Sequence, residues 1–321
     1  FDITKLSDYV QTHSVLTSFN SSNSWSILSD IEVSIKNKVE SIGAPLKEWN
    51  IQINYGVKTG FNEAFIVDTQ KRNEILDNCQ SEDERSKTSE IIRPILRGRD
   101  IKRYGYNWAG LYLIWIPWHF PLHLDSSIQG VSEKAEIAFK LQYPSVYQHL
   151  LQYKDKLSAR NKAETDIRYE WYALQRWGAN YWDLLSQPKI VWGEISDKSK
   201  FCLDTLGEFT PEATTFMLSG DNLFYLLAFL NCSISEYLFS TIGTTTGVGT
   251  VRWKKYKILE LPIPEYDASE LQIDLINTCK NAVETREETP VYEKRINSII
   301  YQIYGLTEEE IEYVEMFIHG K

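Results

Sequence analysis

Lys58, Thr59 and Asn62 stand in the stretch IQINYGVKTGFNEAFIVD (residues 51–68), where two glycines bracket a Lys-Thr pair. An ammonium, a hydroxyl and an amide on a short turn from Gly56 to Gly60 suit the phosphates of a nucleotide, or those of another polyanion. A Walker loop needs glycine immediately before its lysine, because successive backbone N–H groups must wrap the phosphates. Val57 occupies that place, so the match to a Walker loop fails. The plainer alternative makes Gly56 and Gly60 hairpin residues and Asn62 a local cap.

Cations cluster twice more. IRPILRGRDIKRY (residues 92–104) carries Arg93, Arg97, Arg99, Lys102 and Arg103 against Asp100, and RWKKYK (residues 252–257) carries Arg252, Lys254, Lys255 and Lys257. Both clusters read either as plain solvated faces or as a local electrostatic footprint; on the resemblance given below, Arg97, Arg99, Lys102, Arg103, Arg252, Lys254 and Lys255 would neutralise phosphates. Asp100 is placed to pair with Arg97 or Arg103, which would turn part of the first cluster to structural use. Trp253 is expected either to stack on a distorted base or to bury its ring. Thr245 and Thr246, in the loop TIGTTTGVGT before it, offer hydroxyls to a groove or to phosphate. Arg176, with Asp166, Arg168 and Asn180 in ETDIRYEWYALQRWGAN, forms a weaker set of base readers, since arginine suits guanine and asparagine suits adenine.

The net charge of -10 argues at first against a polyanion partner. Its distribution argues the other way. Glu260 to Lys321 holds 14 acidic residues against 5 basic, so residues 1–259 are close to neutral and their basic clusters set the local field.

Catalytic signatures are missing. His119 and His123 are separated by Pro121, which breaks the helix that would align them on a metal. No Glu-x-Lys marks a nuclease metal site. No Asn-Pro-Pro-aromatic or Asp-Pro-Pro-aromatic tetrapeptide is present to grip an extruded adenine. Glu194 and Asp197 are a possible carboxylate pair without a demonstrated common site. No catalytic and no metal-binding residue is therefore assigned.

The elements that must position these groups follow from periodicity. Apolar residues spaced by three and four predict a helix over 24–43, ended by Gly43. Alternation predicts a strand at 51–55, a turn at 56–60 and a second strand at 61–67. Residues 69–90 read as helix and loop, LYLIWIPW (111–118) as a strand, and 131–157 as helix interrupted at Pro144. PKIVWGEI, KFCLDT and TTFMLS read as strands of a second sheet. Leu223 to Leu238 reads as one buried helix. Two further helices, near 271–283 and 291–304, precede a third that starts at the capping box Thr307-x-x-Glu310. The fold class is α+β: two small mixed β-sheet subdomains, connecting helices and a C-terminal helical segment. The parts are 1–48 (linker and amphipathic helix), 49–130 (first α/β part), 131–185 (helical connector), 186–265 (second sheet with the basic loop) and 266–321 (acidic helices).

Cys79, Cys202, Cys232 and Cys279 lack metal-ligand spacing, and the start FDITKLSDYV is unlike a signal peptide. A reducing, cytoplasmic location without membrane insertion is expected. The chain opens on Phe1, so a longer parent is expected too.

Taken in order, GVKTGFNEAF (56–65), IIRPILRGRDIKRY (91–104), PKIVWGEIS (188–196), LLAFLNCSISEYLF (226–239), LELPIP (259–264) and INSIIYQIYGLTEEEIEYVE (296–315) resemble a known family. It is the C-terminal specificity region of type IIG restriction-modification enzymes and related N6-adenine DNA methyltransferases, the TaqI-like target recognition domain. The resemblance implies a reader of double-stranded DNA joined, in the same polypeptide, to a catalytic methyltransferase region. It implies no cofactor in this chain, S-adenosylmethionine in the parent, and Mg²⁺ there if a nuclease is present. Two other readings are a protein-interaction and DNA-binding part of a phage-defence methyltransferase assembly, and a carbohydrate-binding module suggested by 10 Trp and 19 Tyr.

Overall fold

A computed structural model describes residues 28–160, 169–242, 251–285 and 289–320. Thr245, Thr246, Asp166 and Arg168 lie outside the described residues. The strands, in chain order, are β1 (Gly43–Pro45), β2 (Ile51–Tyr55), β3 (Ile66–Asp68), β4 (Ile92–Leu96), β5 (Ile101–Lys102), β6 (Gly105–Tyr106) and β7 (Leu111–Ile114). They continue with β8 (Lys189–Gly193), β9 (Ile195–Ser196), β10 (Phe201–Asp204), β11 (Thr210–Pro211), β12 (Thr215–Gly220), β13 (Val251–Arg252) and β14 (Pro262–Pro264).

Two four-stranded sheets organise the chain. One runs β10-β8-β12-β2 and is antiparallel throughout. The other runs β11-β4-β7-β3, with β11 parallel to β4 and the remaining pairs antiparallel. The α+β class with a C-terminal helical segment is as expected. Each sheet, however, takes a strand from the segment that supplies the other: β2 joins the later sheet and β11 the earlier one.

Side-chain alternation explains the long apolar run at β8. Ile190 and Trp192 face a core shared with the helices Asp30–Ile42, Leu223–Asn231 and Glu270–Thr285, while Val191 faces a second core beneath the β4-β7 sheet. The sheet is thus covered on both faces. The second core is closed by the helices Glu133–Gln142 and Pro144–Leu151 and by Tyr169 to Trp177.

Two expectations are corrected. Residues 51–68 are no hairpin: after β2 the chain leaves its sheet, forms a single helical turn at Asn62–Phe65 and enters the other sheet as β3. The helix expected over Leu223–Leu238 breaks at Cys232 into Leu223–Asn231 and Ser233–Ile242, with a bend of 61°. Among the described residues no single helix is long and apolar enough to cross a membrane. The helix predicted from 24 begins, in the described part, at Asp30, where Ser29 and Glu32 form a capping box. The acidic C-terminal helices, Glu270–Thr285, Thr289–Ile303 and Glu308–His319, turn Leu275, Ile296, Ile299, Ile300 and Val314 into the core and leave Glu270, Glu284, Glu308, Glu309 and Glu312 exposed, whereas Glu310 is buried.

Candidate nucleic-acid interface

Gly56 is required by close approach, not by a turn. A Cβ there would lie 2.0 Å from the Glu212 carbonyl oxygen. The N–H groups of Gly56 and Val57 donate to Thr215 and Pro211 at 2.9 and 2.8 Å, which lays this segment against residues 211–215. Lys58 then pairs with Arg176, each N–H donating to the other's carbonyl at 2.9 Å. Two predicted cations 118 residues apart in sequence are thereby set side by side. Thr59 is turned inward: its hydroxyl donates to Asn62 Oδ1 at 2.5 Å and accepts from the Phe61 N–H at 3.2 Å, and it is 3% exposed. Thr59 is buried in a local hydrogen-bonded turn and is withdrawn from the interface, whereas Asn62 and Arg176 are exposed and Lys58 is half-buried.

The first basic cluster divides. Arg97 folds back on Asp100, Nε donating to Oδ2 at 2.9 Å and Nη2 to Oδ1 at 2.7 Å. Burial opposes ionisation of Asp100, but the Arg97 hydrogen bonds outweigh it and lower the carboxyl pKa. Arg103 points into the protein, pairing with Glu236 at 3.5 Å and Glu293 at 2.8 Å and donating to the Asn231 carbonyl. Both arginines hold the fold together, so their expected phosphate role is corrected. Arg99 and Lys102 are exposed, and neither enters an ion pair with the described residues.

The second cluster divides in the same way. Trp253 is buried at 2% exposure, stacked on Phe239 with centroids 4.1 Å apart and packed edge-on against Phe201. It cannot reach a base. Its backbone fixes its neighbours instead: the Trp253 N–H donates to the Glu194 carbonyl at 2.7 Å, and its own carbonyl accepts from Trp192 Nε1 at 2.9 Å. Arg252, 43% exposed, reaches Glu194 Oε1 at 3.0 Å. Lys254 and Lys255 are half-buried beside Lys257, whose pKa is lowered by burial and then by the Lys254 ammonium.

What sequence could not show is that the halves meet. Arg99 and Lys102 from the turn after β4 and from β5, and Arg252 from β13, line one cleft of about 610 Å³. Ile195 and Ser196 of β9 and Ala213 and Thr214 after β11 complete its walls. Gly98 and Gly193 close its floor, where a Cβ on Gly193 would lie 3.3 Å from Gly98 Cα. Lys200 lines it as well and pairs with Asp197 at 2.5 Å. Sequence reading missed Lys200, because the two lysines of DKSKF, next to Asp197, carry no pattern. Glu194 and Asp197 do not form a carboxylate pair with each other: each is matched to a cation, Arg252 and Lys200.

Among the described residues no group of three or more His, Cys, Asp and Glu is arranged to hold a metal. His119 instead contacts the buried Glu170 through Nδ1 at 2.9 Å. Of the tryptophans that suggested a sugar platform, Trp115, Trp171, Trp177, Trp192 and Trp253 are buried in the cores, while Trp108 and Trp182 are partly exposed. The five buried rings are not available as a flat aromatic face for carbohydrate.

Residues 93–263, more than half of the chain, match the model of the TaqI-like C-terminal specificity domain. The chain is 22% identical over 239 residues to the type II methyltransferase M.MjaIV of Methanocaldococcus jannaschii, covering 72% of this chain and 70% of that protein. It also superposes on the type IIL restriction-modification enzyme MmeI, solved in complex with DNA, with a TM-score of 0.51 at 11% identity. That match covers 87% of this chain and 37% of MmeI, so the chain spans little more than a third of the solved protein. The type IIG restriction endonuclease BpuSI aligns with a TM-score of 0.46 at 13% identity, over 86% of this chain and 33% of that one.

Proposed function

The chain belongs to the TaqI-like C-terminal specificity domain family, and on that premise we propose that it binds double-stranded DNA and selects the sequence on which a catalytic region of the same polypeptide acts. The observation that carries this reading is the cleft. Arg99, Lys102, Lys200 and Arg252 converge there from segments up to 153 residues apart. Such convergence creates a local positive field in a chain of net charge -10. Two of the four cations are matched by Glu194 and Asp197. Arg99 and Lys102 remain for phosphates, and Lys254 and Lys255 extend the patch beyond the cleft. Lys58, Arg176 and Asn62 supply a second line of contact across the 211–215 segment.

The parent's reaction is proposed to be N6-adenine methylation, as in type IIG enzymes and related methyltransferases, with this chain placing the target adenine. S-adenosylmethionine, and Mg²⁺ for any nuclease, would be held by the catalytic region. The described residues of this chain offer no cluster to hold a metal, and none of its proposed roles passes through either group. The test is a map of N6-methyladenine in the source genome with and without the gene. Loss of methylation at one asymmetric motif on deletion is the expected result, and an unchanged map with the gene expressed contradicts the reading.

A further inference from the structure

Apart from the cleft, a run of aromatic side chains comes to the surface around Trp108, which is 37% exposed. Tyr106 and Phe209 pack with ring centroids 4.7 Å apart, and Trp108 stands edge-on to Phe209 at 6.0 Å and to Tyr112 at 5.2 Å. Trp108, Tyr106 and Phe209 line a recess of about 650 Å³ together with Pro94 of β4 and Glu208. Rings left at the surface forgo burial that would stabilise the fold, and a contiguous exposed apolar face marks a contact site. The recess shares no lining residue with the cleft, so its role does not depend on the duplex-binding reading.

The lining has a definite chemical character. The Trp108 indole N–H already donates to the Leu111 carbonyl at 3.0 Å, and Pro94 and Phe209 carry no side-chain donor. What the indole offers a ligand is its π face, which is negative and attracts cations. Glu208 is exposed, and its carboxylate enters no ion pair with the described residues. Among the described residues no lysine or arginine lines the recess, so an anion finds no counter-charge there. A planar cation that stacks on a ring while donating two N–H groups to a carboxylate fits both features, and the guanidinium of arginine is that group. The same run of rings already holds one: Arg72 lies over Tyr112, the ring against which Trp108 stands, with Cζ 4.9 Å from the centroid.

Both walls are held by backbone. Asp204, 3% exposed, accepts from the Glu208 N–H at 3.1 Å through Oδ1 and from the Phe209 N–H at 2.9 Å through Oδ2. Lys189 Nζ, fully buried, donates to Asp204 Oδ2 at 2.7 Å and fixes it from beneath. Gly207 turns the chain at φ 70°, a conformation that favours glycine. On the other wall the Asn107 N–H donates to the Asp100 carbonyl at 2.7 Å, which anchors the segment that carries Trp108. Carboxylate and indole are thus presented in place, and little ordering is left for binding to impose.

From this geometry we propose that the recess docks an arginine side chain of a peptide segment on a partner protein, the guanidinium stacked on Trp108 and hydrogen-bonded to Glu208. Charge complementarity selects the occupant: an unpaired carboxylate and π faces, without a cation among them, suit a basic segment and reject an acidic one.

The test is a titration of the whole isotope-labelled chain with the blocked tripeptide acetyl-Gly-Arg-Gly-amide. The readout is the Trp108 indole N–H resonance, which Trp108→Phe identifies by its loss. The arginine peptide is expected to shift it saturably, with a Kd on the order of 1 mM. The citrulline peptide, of the same shape without the charge, is expected to bind at least roughly 10-fold more weakly. Glu208→Gln keeps the backbone N–H on Asp204 and should weaken arginine binding about 10-fold. Trp108→Ala, read on the Glu208 and Phe209 amides, should weaken it by about as much. Melting curves establish that both variants are folded. Citrulline binding as tightly as arginine would make the recess a plain apolar surface. A lysine peptide or tetramethylammonium binding as tightly would remove the planar guanidinium from the account, and unchanged arginine binding in Glu208→Gln would reduce it to diffuse attraction toward an acidic chain. Any of these overturns the proposal, as does the absence of a saturable shift up to about 50 mM peptide.

Discussion

Gly56 passes Glu212 so closely that a Cβ at position 56 would sit 2.0 Å from the Glu212 carbonyl oxygen and 2.7 Å from that of Pro211. The two backbones belong to segments that connect the two sheets, so this contact welds β2 to the β11–β12 crossing. Neither neighbour is the tip of a flexible side chain, and one of the two backbones has to move to admit a methyl group. Gly56→Ala is expected to lower stability by about 2 kcal/mol or more. It should also weaken duplex binding, because Ala213 and Thr214 of the displaced segment line the cleft. Calorimetric melting checks the first effect; a transition temperature within a degree of wild type would show that the seam is loose.

The strands of the central sheet announced themselves by apolar runs, and the C-terminal helices by their period and the Thr307 capping box. Residues 51–68 misled because Gly-x-x-x-Gly between apolar runs is also what a hairpin looks like. Here Gly56 serves a contact with residue 212, and no local pattern encodes a neighbour 156 positions away. The cleft was half legible. Both basic clusters stood out, but which cations face outward depended on carboxylate partners at positions 236 and 293 for Arg103, and at 194 for Arg252. The nearby Asp100 was the one partner that sequence could nominate.

Arg97 and Arg103 should behave as parts of the fold. Arg97→Ala leaves Asp100, 5% exposed, without its main partner, and Arg103→Ala strands Glu236, at 6% exposure. Breaking one side of a buried pair costs about 3 kcal/mol. Each variant is expected to melt well below wild type, while its folded fraction keeps the wild-type salt dependence of duplex binding. Denaturant titration alongside binding checks both halves of this statement.

Glu310 gives a pH signature. Burial disfavours its charge, but the Lys38 ammonium, the Ser34 hydroxyl and the Thr307 N–H donate to it and hold its pKa at about 2. A carboxylate whose folded pKa is depressed contributes stability above its unfolded value, near 4.5, and loses it as the pH falls toward the folded value. Between neutral pH and about pH 5, Glu310→Gln should therefore be less stable than wild type by about 2 kcal/mol. The gap should close as the pH drops from 4.5 toward 2. Urea titrations at stepped pH measure it, and a gap that is constant across this range would contradict the assignment.

If the cleft neutralises phosphates, the salt dependence of duplex binding shows it most directly. The quantity is the slope of log Kd against log salt for the wild-type chain and for the Arg99→Ala/Lys102→Ala variant, whose cations lie exposed and outside any ion pair with the described residues. Each lost phosphate contact lowers the slope by about 0.9, so the double variant should bind more weakly with a slope shallower by about 2 and an unchanged melting temperature. Equal slopes and equal affinities in the two proteins would contradict the central claim and remove the cleft from the DNA interface.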